Sequence, residues 1–143
     1  EAGAGVPSPM SAVRLVRSSG LAAAPYAYAS RVEAGAELVF LAGACPLADD
    51  GSTVAVGDVA EQAQRCVETM LVALDAAGAA LTDVASTRVL VASADRRDLV
   101  AAWDVVRAAF GDHDVPSTLI GVAALGYPDQ LVEIEAVAAV RRG

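Results

Sequence analysis

The stretch VPSTLIGVAALGYPDQLVEIEAVAAV, residues 115–140, reads as two strands separated by a turn. Successive side chains of a strand point to opposite faces. One face of the second strand is apolar along its whole length and consists of Val132, Ile134, Ala136, Ala138 and Val140. The opposite face carries Glu133 and Glu135 about 7 Å apart, and it becomes apolar again at Val137 and Ala139. The two carboxylates are therefore either a solvated pair or part of a site.

The length and composition bound the possible architectures. A chain of 143 residues suffices for one domain with one core, which we place at residues 11–143, and residues 1–10 are predicted to be a disordered lead. The chain is 55% hydrophobic, but it has no apolar run long enough for a transmembrane helix, so no membrane partner is expected. A small domain this apolar is expected to bury part of its surface in an oligomer.

Charge and rare residues exclude several classes of function. The net charge of −8 and the pI of about 4.4 disfavour a nucleic-acid partner. All ten basic residues are arginines, which excludes Schiff-base lysine chemistry. Cys45 and Cys66 form no CxxC pair and there is one histidine, so we predict reduced thiols, no metal site, no cofactor and a cytoplasmic location. No signal peptide is predicted, and the composition suggests a GC-rich bacterial genome.

The remaining sequence predicts an α+β domain. Strands are expected in residues 11–18, on both sides of a turn at Ala34-Gly35, briefly within residues 48–56, and at 86–93. Amphipathic helices are predicted at residues 58–78 and 95–111, with Asp58 and Asp95 as their N-caps. Two helices can cover one face of a mixed sheet. Because no element is left for the other face, its apolar end at Val137 and Ala139 is predicted to be buried by another subunit.

Four segments carry a resemblance to a known family. They are PYAYAS (25–30), LVFLAGACP (38–46), GDVAEQAQRCVETMLVALDAAGAALTDVASTRVLV (57–91) and VEIEAVAAV (132–140). Together they resemble the Rid (YjgF, L-PSP) reactive-intermediate deaminases. The resemblance implies a chorismate-mutase-like fold and a homotrimer, a barrel-like assembly with three clefts between subunits.

The resemblance also implies roles for several residues. Glu133 matches the glutamate that holds the attacking water in the family's deaminases, and Tyr26 matches a tyrosine that lines the cleft. Gly43 matches the glycine of the family's S-G-Q motif, in which Ala42 replaces the serine. Glu135 matches no catalytic position and is expected to meet an arginine or solvent.

The family arginine that binds a substrate carboxylate, in a P-A-R-S motif, has no counterpart here. Aligning back from Leu125 places Ser117 at its position, with the backbone near Thr118 and Leu119 also expected to orient the substrate. Arg88 is either a salt-bridged surface arginine or a replacement anion clamp, and Arg31 is a weaker candidate for the same role. A Ser117→Arg variant is predicted to gain activity on 2-imino acids.

The predicted function is hydrolysis of an imine, an enamine or a related reactive small molecule other than a simple 2-imino acid. Two alternatives remain open: a non-catalytic trimer that binds a small molecule, and an enzyme of a specialised biosynthetic pathway. An endoribonuclease attribution also accompanies the family, but the acidic pI argues against it. Cys45 is predicted to be an inert thiol near the cleft, and His113 a solvated loop residue.

Overall fold

In a computed structural model, which describes residues 11–142, six strands and two helices confirm the predicted α+β class. Their order is β1 (Val13–Val16), β2 (Ala29–Val32), β3 (Glu37–Phe40), α1 (Val59–Ala76), β4 (Val84–Val91), α2 (Arg96–Phe110), β5 (Ser117–Gly121) and β6 (Val132–Val140). A 3₁₀ turn at Leu81–Asp83 leads into β4. The predicted disordered lead, residues 1–10, lies outside the described residues.

The main sheet has the strand order β3-β6-β4-β5. β4 and β5 are parallel and are joined by α2, since parallel neighbours need a crossover connection. β6 is antiparallel to both of its neighbours, β3 and β4. The two closing strands are therefore not paired with each other, although they follow one another in the sequence, because residues 122–131 carry the chain across β4 to its other side.

Both helices begin and end as their sequences predict. The Asp58 carboxylate accepts a hydrogen bond from the Glu61 N–H at 3.1 Å, and the Asp95 carboxylate accepts one from the Arg97 N–H at 2.9 Å. Such caps satisfy N–H groups that have no partner within the helix and contribute about 1 kcal/mol each. After α1, Gly78 takes a positive φ of 78°, a conformation that favours glycine.

The core lies between the two helices and the inner face of the sheet. Its fully buried side chains are Cys66, Met70 and Leu74 of α1, Ala102 and Val106 of α2, Val89 and Val91 of β4, and Val132, Ile134, Ala136 and Ala138 of β6. Burying each larger aliphatic side chain contributes roughly 1.5–3 kcal/mol before entropy is counted. The helices thus cover the apolar face of β6, as predicted.

The other face of the sheet is partly covered by the chain itself. The β1–β2 pair packs on it, and Val13 and Ala139 form a small buried cluster with Ala85. The prediction that Ala139 needs another subunit is therefore wrong, because β1 supplies the cover. The part of this face along the edge strand β3 stays open, and there Phe40 is 71% and Leu38 52% exposed.

Two smaller differences concern the segment before α1. The strand predicted within residues 48–56 is reduced to a single bridge between Leu47 and Thr53. The turn at Ala34-Gly35 forms, with a φ of 84° at Gly35, but β2 and β3 enter different sheets rather than pairing. Neither helix in the described residues combines the length and apolarity needed to cross a membrane.

Candidate functional site

Glu133 lies on the face of β6 that the helices do not cover, opposite Leu90 of β4 in the strand register. Its side chain is half-buried. The oxygen Oε1 accepts a hydrogen bond from the Gln130 amide at 3.2 Å and a weaker one from the Cys45 thiol at 3.5 Å. Within residues 11–142, the other oxygen, Oε2, receives no hydrogen bond.

Gly43 provides the space for this carboxylate. A Cβ placed on Gly43 would lie 2.6 Å from Cδ and 3.0 Å from Cγ of Glu133, with Oε2 closer still. Gly43 is not among the described glycines with a positive φ, so its backbone would suit other residues as well. Glycine is required here for the close approach of the carboxylate and not for an unusual turn.

Gln130 is the second support of Glu133 and is only 4% exposed. Its Nε2 donates to the Val132 carbonyl at 3.0 Å as well as to Glu133, and its Oε1 accepts from the Tyr127 N–H at 3.1 Å. An amide with two acceptors beside its nitrogen and one donor beside its oxygen has a single satisfactory orientation. No sequence pattern points to Gln130, since a glutamine in a loop is usually solvated.

Cys45 is a free, half-buried thiol whose Sγ also lies 3.4 Å from the Gly43 carbonyl. Burial, followed by the negative charge of Glu133, raises the pKa of Cys45 to about 11. The thiol is therefore protonated at neutral pH and is a poor nucleophile, in agreement with the prediction that it is inert. Gly43 and Cys45 also line a cavity of about 530 Å³, together with Val72 of α1 and Tyr127.

Glu135 and Arg88 form an ion pair across β6 and β4. Arg88 Nε lies 2.8 Å from Glu135 Oε1, and the two residues are partners in the strand register. The expectation that Glu135 meets an arginine is confirmed. Both side chains are about half exposed, so the pair contributes roughly 0–1 kcal/mol. A role for Arg88 as an anion clamp stays a prediction, and a ligand would have to compete with Glu135.

The register of β5 separates Ser117 from Glu133. Ser117 is paired with Thr87, and their hydroxyl oxygens lie 2.6 Å apart on the helix side of the sheet. The next residue, Thr118, is paired with Arg88 and shares its face. Ser117 is therefore not on the face that carries Glu133, and Thr118 is. A shift of one residue along a strand reverses the direction of the side chain.

The side chain of Leu119 packs against the core, so only its backbone could take part in a site on the other face. The Thr87 N–H donates to the Pro116 carbonyl, and the Val122 N–H donates to the Val91 carbonyl. In a parallel ladder this alternation turns the N–H and C=O of Leu119 away from β4. Because β5 is an edge strand, both groups point outward from the β5 edge, away from the other strands of the sheet.

Tyr26 lies in the connection between β1 and β2 and packs edge-on against Trp103 of α2, with ring centroids 6.4 Å apart. The described contacts of the protomer do not bring it to Glu133. Arg31 faces Arg14 in the separate β1–β2 sheet. His113 is half-buried, with Nε2 2.8 Å from the Val84 carbonyl, so the prediction that it is solvated is wrong.

No group of three or more potential metal ligands occurs within residues 11–142. What these residues do assemble is an acceptor, the Glu133 carboxylate, on an open and partly apolar face. A half-buried carboxylate with one free oxygen can take a proton from a water molecule.

Comparisons with known proteins show the family and the fold of the chain. The family model described as Endoribonuclease L-PSP matches residues 18–140. A RutC family protein from Pyrococcus abyssi is 32% identical over 114 residues, which cover 80% of this chain and 85% of that protein. The 3-aminoacrylate deaminase RutC of Acinetobacter baylyi is 32% identical over 117 residues, covering 82% and 88%. A crystal structure of YyfB from Yersinia pestis, a Rid family protein of unknown function, superposes with a TM-score of 0.83 at 26% identity, covering 90% and 99% of the two chains.

Proposed function

This chain belongs to the Rid (YjgF, L-PSP) family, and we propose that it hydrolyses an imine or enamine in a cleft shared between the subunits of a homotrimer. The observation that carries the proposal is the placement of Glu133. Its carboxylate rests against Gly43, with Oε1 held by Gln130 and with Oε2 free of bonds to residues 11–142. The Acinetobacter relative is a 3-aminoacrylate deaminase, which supports the enamine or imine class.

In the proposed reaction Glu133 accepts a proton from water as the water oxygen forms a bond to the imine carbon. Glu133 returns this proton to the nitrogen, which gives a neutral carbinolamine. The carbinolamine hydroxyl then transfers its proton to nitrogen as the carbonyl forms and the C–N bond breaks, so that an imine and one water give a carbonyl compound and ammonia. An enamine enters the same route after protonation at carbon has converted it to the imine. A positioned carboxylate of this kind contributes typically about 10²–10⁴-fold to the rate.

The substrate is proposed to differ from a simple 2-imino acid. A bidentate contact between an arginine and a carboxylate, lost without replacement, costs roughly 2–5 kcal/mol in a desolvated site. That loss corresponds to a factor on the order of 30 to 4000. Thr118, on the face where Arg88 is already paired with Glu135, can give one neutral hydrogen bond worth about 1 kcal/mol.

The homotrimer is proposed because the open edge of the sheet carries Leu38 and Phe40, which are large and exposed. In such an assembly the cleft would receive side chains from a second subunit. Tyr26 of a second subunit could then line the cleft beside Glu133, although the contacts within one protomer do not bring the two residues together. The Leu119 backbone, at the open edge of β5, would be available in the same cleft.

The test is ammonia release from imines and enamines generated in situ, with 2-aminoacrylate and 3-aminoacrylate as separate arms. Wild type is compared with Glu133→Gln and with the matched control Glu135→Gln, which changes the neighbouring carboxylate on the same face. Glu133→Gln is expected to lose at least about 100-fold in kcat, and Glu135→Gln only a few-fold. Loss in the control with activity retained in Glu133→Gln would refute the assignment.

A non-catalytic trimer that binds a small molecule is the second candidate, favoured by the missing arginine. It predicts ligand binding without turnover, with both glutamine variants behaving alike.

Protein purified to homogeneity should also leave RNA uncut, since the net charge is −8. Cleavage that follows the protein through every purification step would support the endoribonuclease attribution.

A further inference from the structure

Gln130 ends a tight turn that leads into β6. The turn spans Tyr127–Gln130, and the Gln130 N–H donates to the Tyr127 carbonyl at 3.1 Å. Pro128 is at its second position, and Asp129 at its third has a φ of 60°, as in type II turns. The side chain closes the same turn from the other side, because its Oε1 accepts from the Tyr127 N–H. The backbone and side chain of Gln130 are thus fixed by one pair of reciprocal bonds.

A second buried glutamine ties this turn to α1. Gln62 is fully buried, its Nε2 donates to the Asp129 carbonyl at 3.0 Å, and its Oε1 accepts from the Leu131 N–H at 2.7 Å. Both amides are therefore bonded within the protein, and the residues on either side of Gln130 cannot move without breaking bonds to the helix. Gln62 itself has no hydrogen bond to Glu133 among the described residues.

Holding the turn would need only some of the bonds that Gln130 makes. The bonds to Tyr127 and Val132 satisfy the amide oxygen and one N–H. The second N–H goes to Oε1 of Glu133 at 3.2 Å. On the opposite side the carboxylate meets Gly43, where no side chain could fit. The carboxylate therefore has one oxygen, Oε1, held by Gln130, and one, Oε2, that receives no hydrogen bond from residues 11–142.

We propose that Gln130 is a positioning residue for Glu133, and that its amide anchors Oε1 so that Oε2 takes the proton in the reaction proposed above. The proposal rests on the proposed function for its kinetic consequence, but the anchoring itself can be measured without any substrate. It is specific to this side chain, since the other donor to Oε1 is the Cys45 thiol at 3.5 Å, and thiols are weak donors.

The kinetic experiment compares Gln130→Met with Gln62→Met. Methionine keeps the unbranched shape and removes the amide at both positions. Each change removes three hydrogen bonds, since Gln62 Nε2 also donates to the Ala55 carbonyl at 3.3 Å. Gln130→Met is expected to lower kcat by about 10- to 100-fold, with KM changing less than about threefold, since a misplaced catalytic group costs up to about 10²-fold. Gln62→Met should retain kcat within a few-fold. Equal losses in the two variants, or a loss confined to KM, would overturn the proposal.

The substrate-free experiment uses Cys45 as a reporter of where Glu133 lies. Because the Glu133 charge raises the pKa of Cys45, Glu133→Gln should lower that pKa. The pKa is measured from the pH dependence of iodoacetamide alkylation, with Cys66→Ala present throughout. Four proteins form the cycle: the background, Glu133→Gln, Gln130→Met and the double variant. This comparison cancels any direct effect of Gln130 on the thiol.

In the background, Glu133→Gln is expected to raise the thiolate fraction at pH 8–9 severalfold, because the negative charge that helps to raise the pKa of Cys45 is removed while its burial stays. With Met at position 130 the carboxylate is free to turn away, and the same change should have an effect of less than about threefold. An equal effect in both backgrounds would show that Gln130 does not hold Glu133, and would overturn the proposal. An intact cycle in a protein that hydrolyses neither substrate would instead count against the proposed function alone.

Discussion

Replacing Gly43 by alanine tests whether the Glu133 carboxylate rests on the Gly43 backbone. The added Cβ would lie 2.6 Å from Glu133 Cδ, whereas ordinary carbon contacts begin near about 3.5 Å. Glu133 must therefore move by roughly 1 Å. Overpacking of this kind costs about 1–3 kcal/mol, which lowers the melting temperature by about 3–10 °C for a domain of this size. A displacement of about 1 Å at a catalytic group should also reduce kcat up to about 100-fold.

The measurement is thermal unfolding at one fixed protomer concentration, for Gly43→Ala alone and together with Glu133→Ala. Removing the carboxylate removes the clash, so the alanine at position 43 should cost less than about 0.5 kcal/mol in the Glu133→Ala background. Gly126→Ala is the matched control, because a Cβ there meets nothing within 4 Å. The same destabilisation with and without the Glu133 side chain would refute the reasoning, since the cost would then arise elsewhere.

Thr118→Arg is expected to increase hydrolysis of 2-aminoacrylate at least about tenfold by adding a bidentate carboxylate contact, whereas Ser117→Arg should destabilise the fold by placing a charge between sheet and helices. Gain with Ser117→Arg alone would mean that the register of β5 has been misread. Alkylation of Cys45 should rise about tenfold per pH unit up to a pKa of about 11, because only the thiolate reacts; a plateau near pH 8 would contradict the influence of burial and of Glu133. Light scattering should give three times the protomer mass at micromolar concentration, and Phe40→Glu should reduce it. A wild-type monomer would remove the proposed cleft.

The sequence was sufficient where the structure depends only on residues that are close together in the chain. Asp58 and Asp95 cap their helices because capping is a local property of the first turn. Alternation along β6 placed Glu133 on the face opposite Ile134, since period two leaves no other choice once one face is buried. The family resemblance then selected Glu133 over Glu135, which alternation alone cannot do.

The sequence was insufficient where distant segments meet. Cys45 and Glu133 are 88 positions apart. Nothing in either segment indicates that Gly43 makes room for the Glu133 carboxylate. Ser117 lies on the helix side of the sheet because the register of β5 pairs it with Thr87, and counting along the sequence cannot determine this register, since a shift of one residue in a strand exchanges the two faces. Ala139 was assigned to a subunit interface because the packing of β1 onto the sheet is also a long-range contact.

Gly43, Cys45 and Gln130 each contact Glu133 within one protomer, whereas no contact among the described residues brings Tyr26 to Glu133 in the same protomer. In the proposed trimer this division would decide how defective subunits behave when they are mixed. A Glu133→Gln subunit and a Gln130→Met subunit would each lack a correctly placed Glu133 carboxylate, and a trimer that mixes the two would contain no intact site. A Tyr26→Phe subunit mixed with Glu133→Gln would recover activity, because some clefts would combine the intact Glu133 of the first variant with the intact Tyr26 of the second.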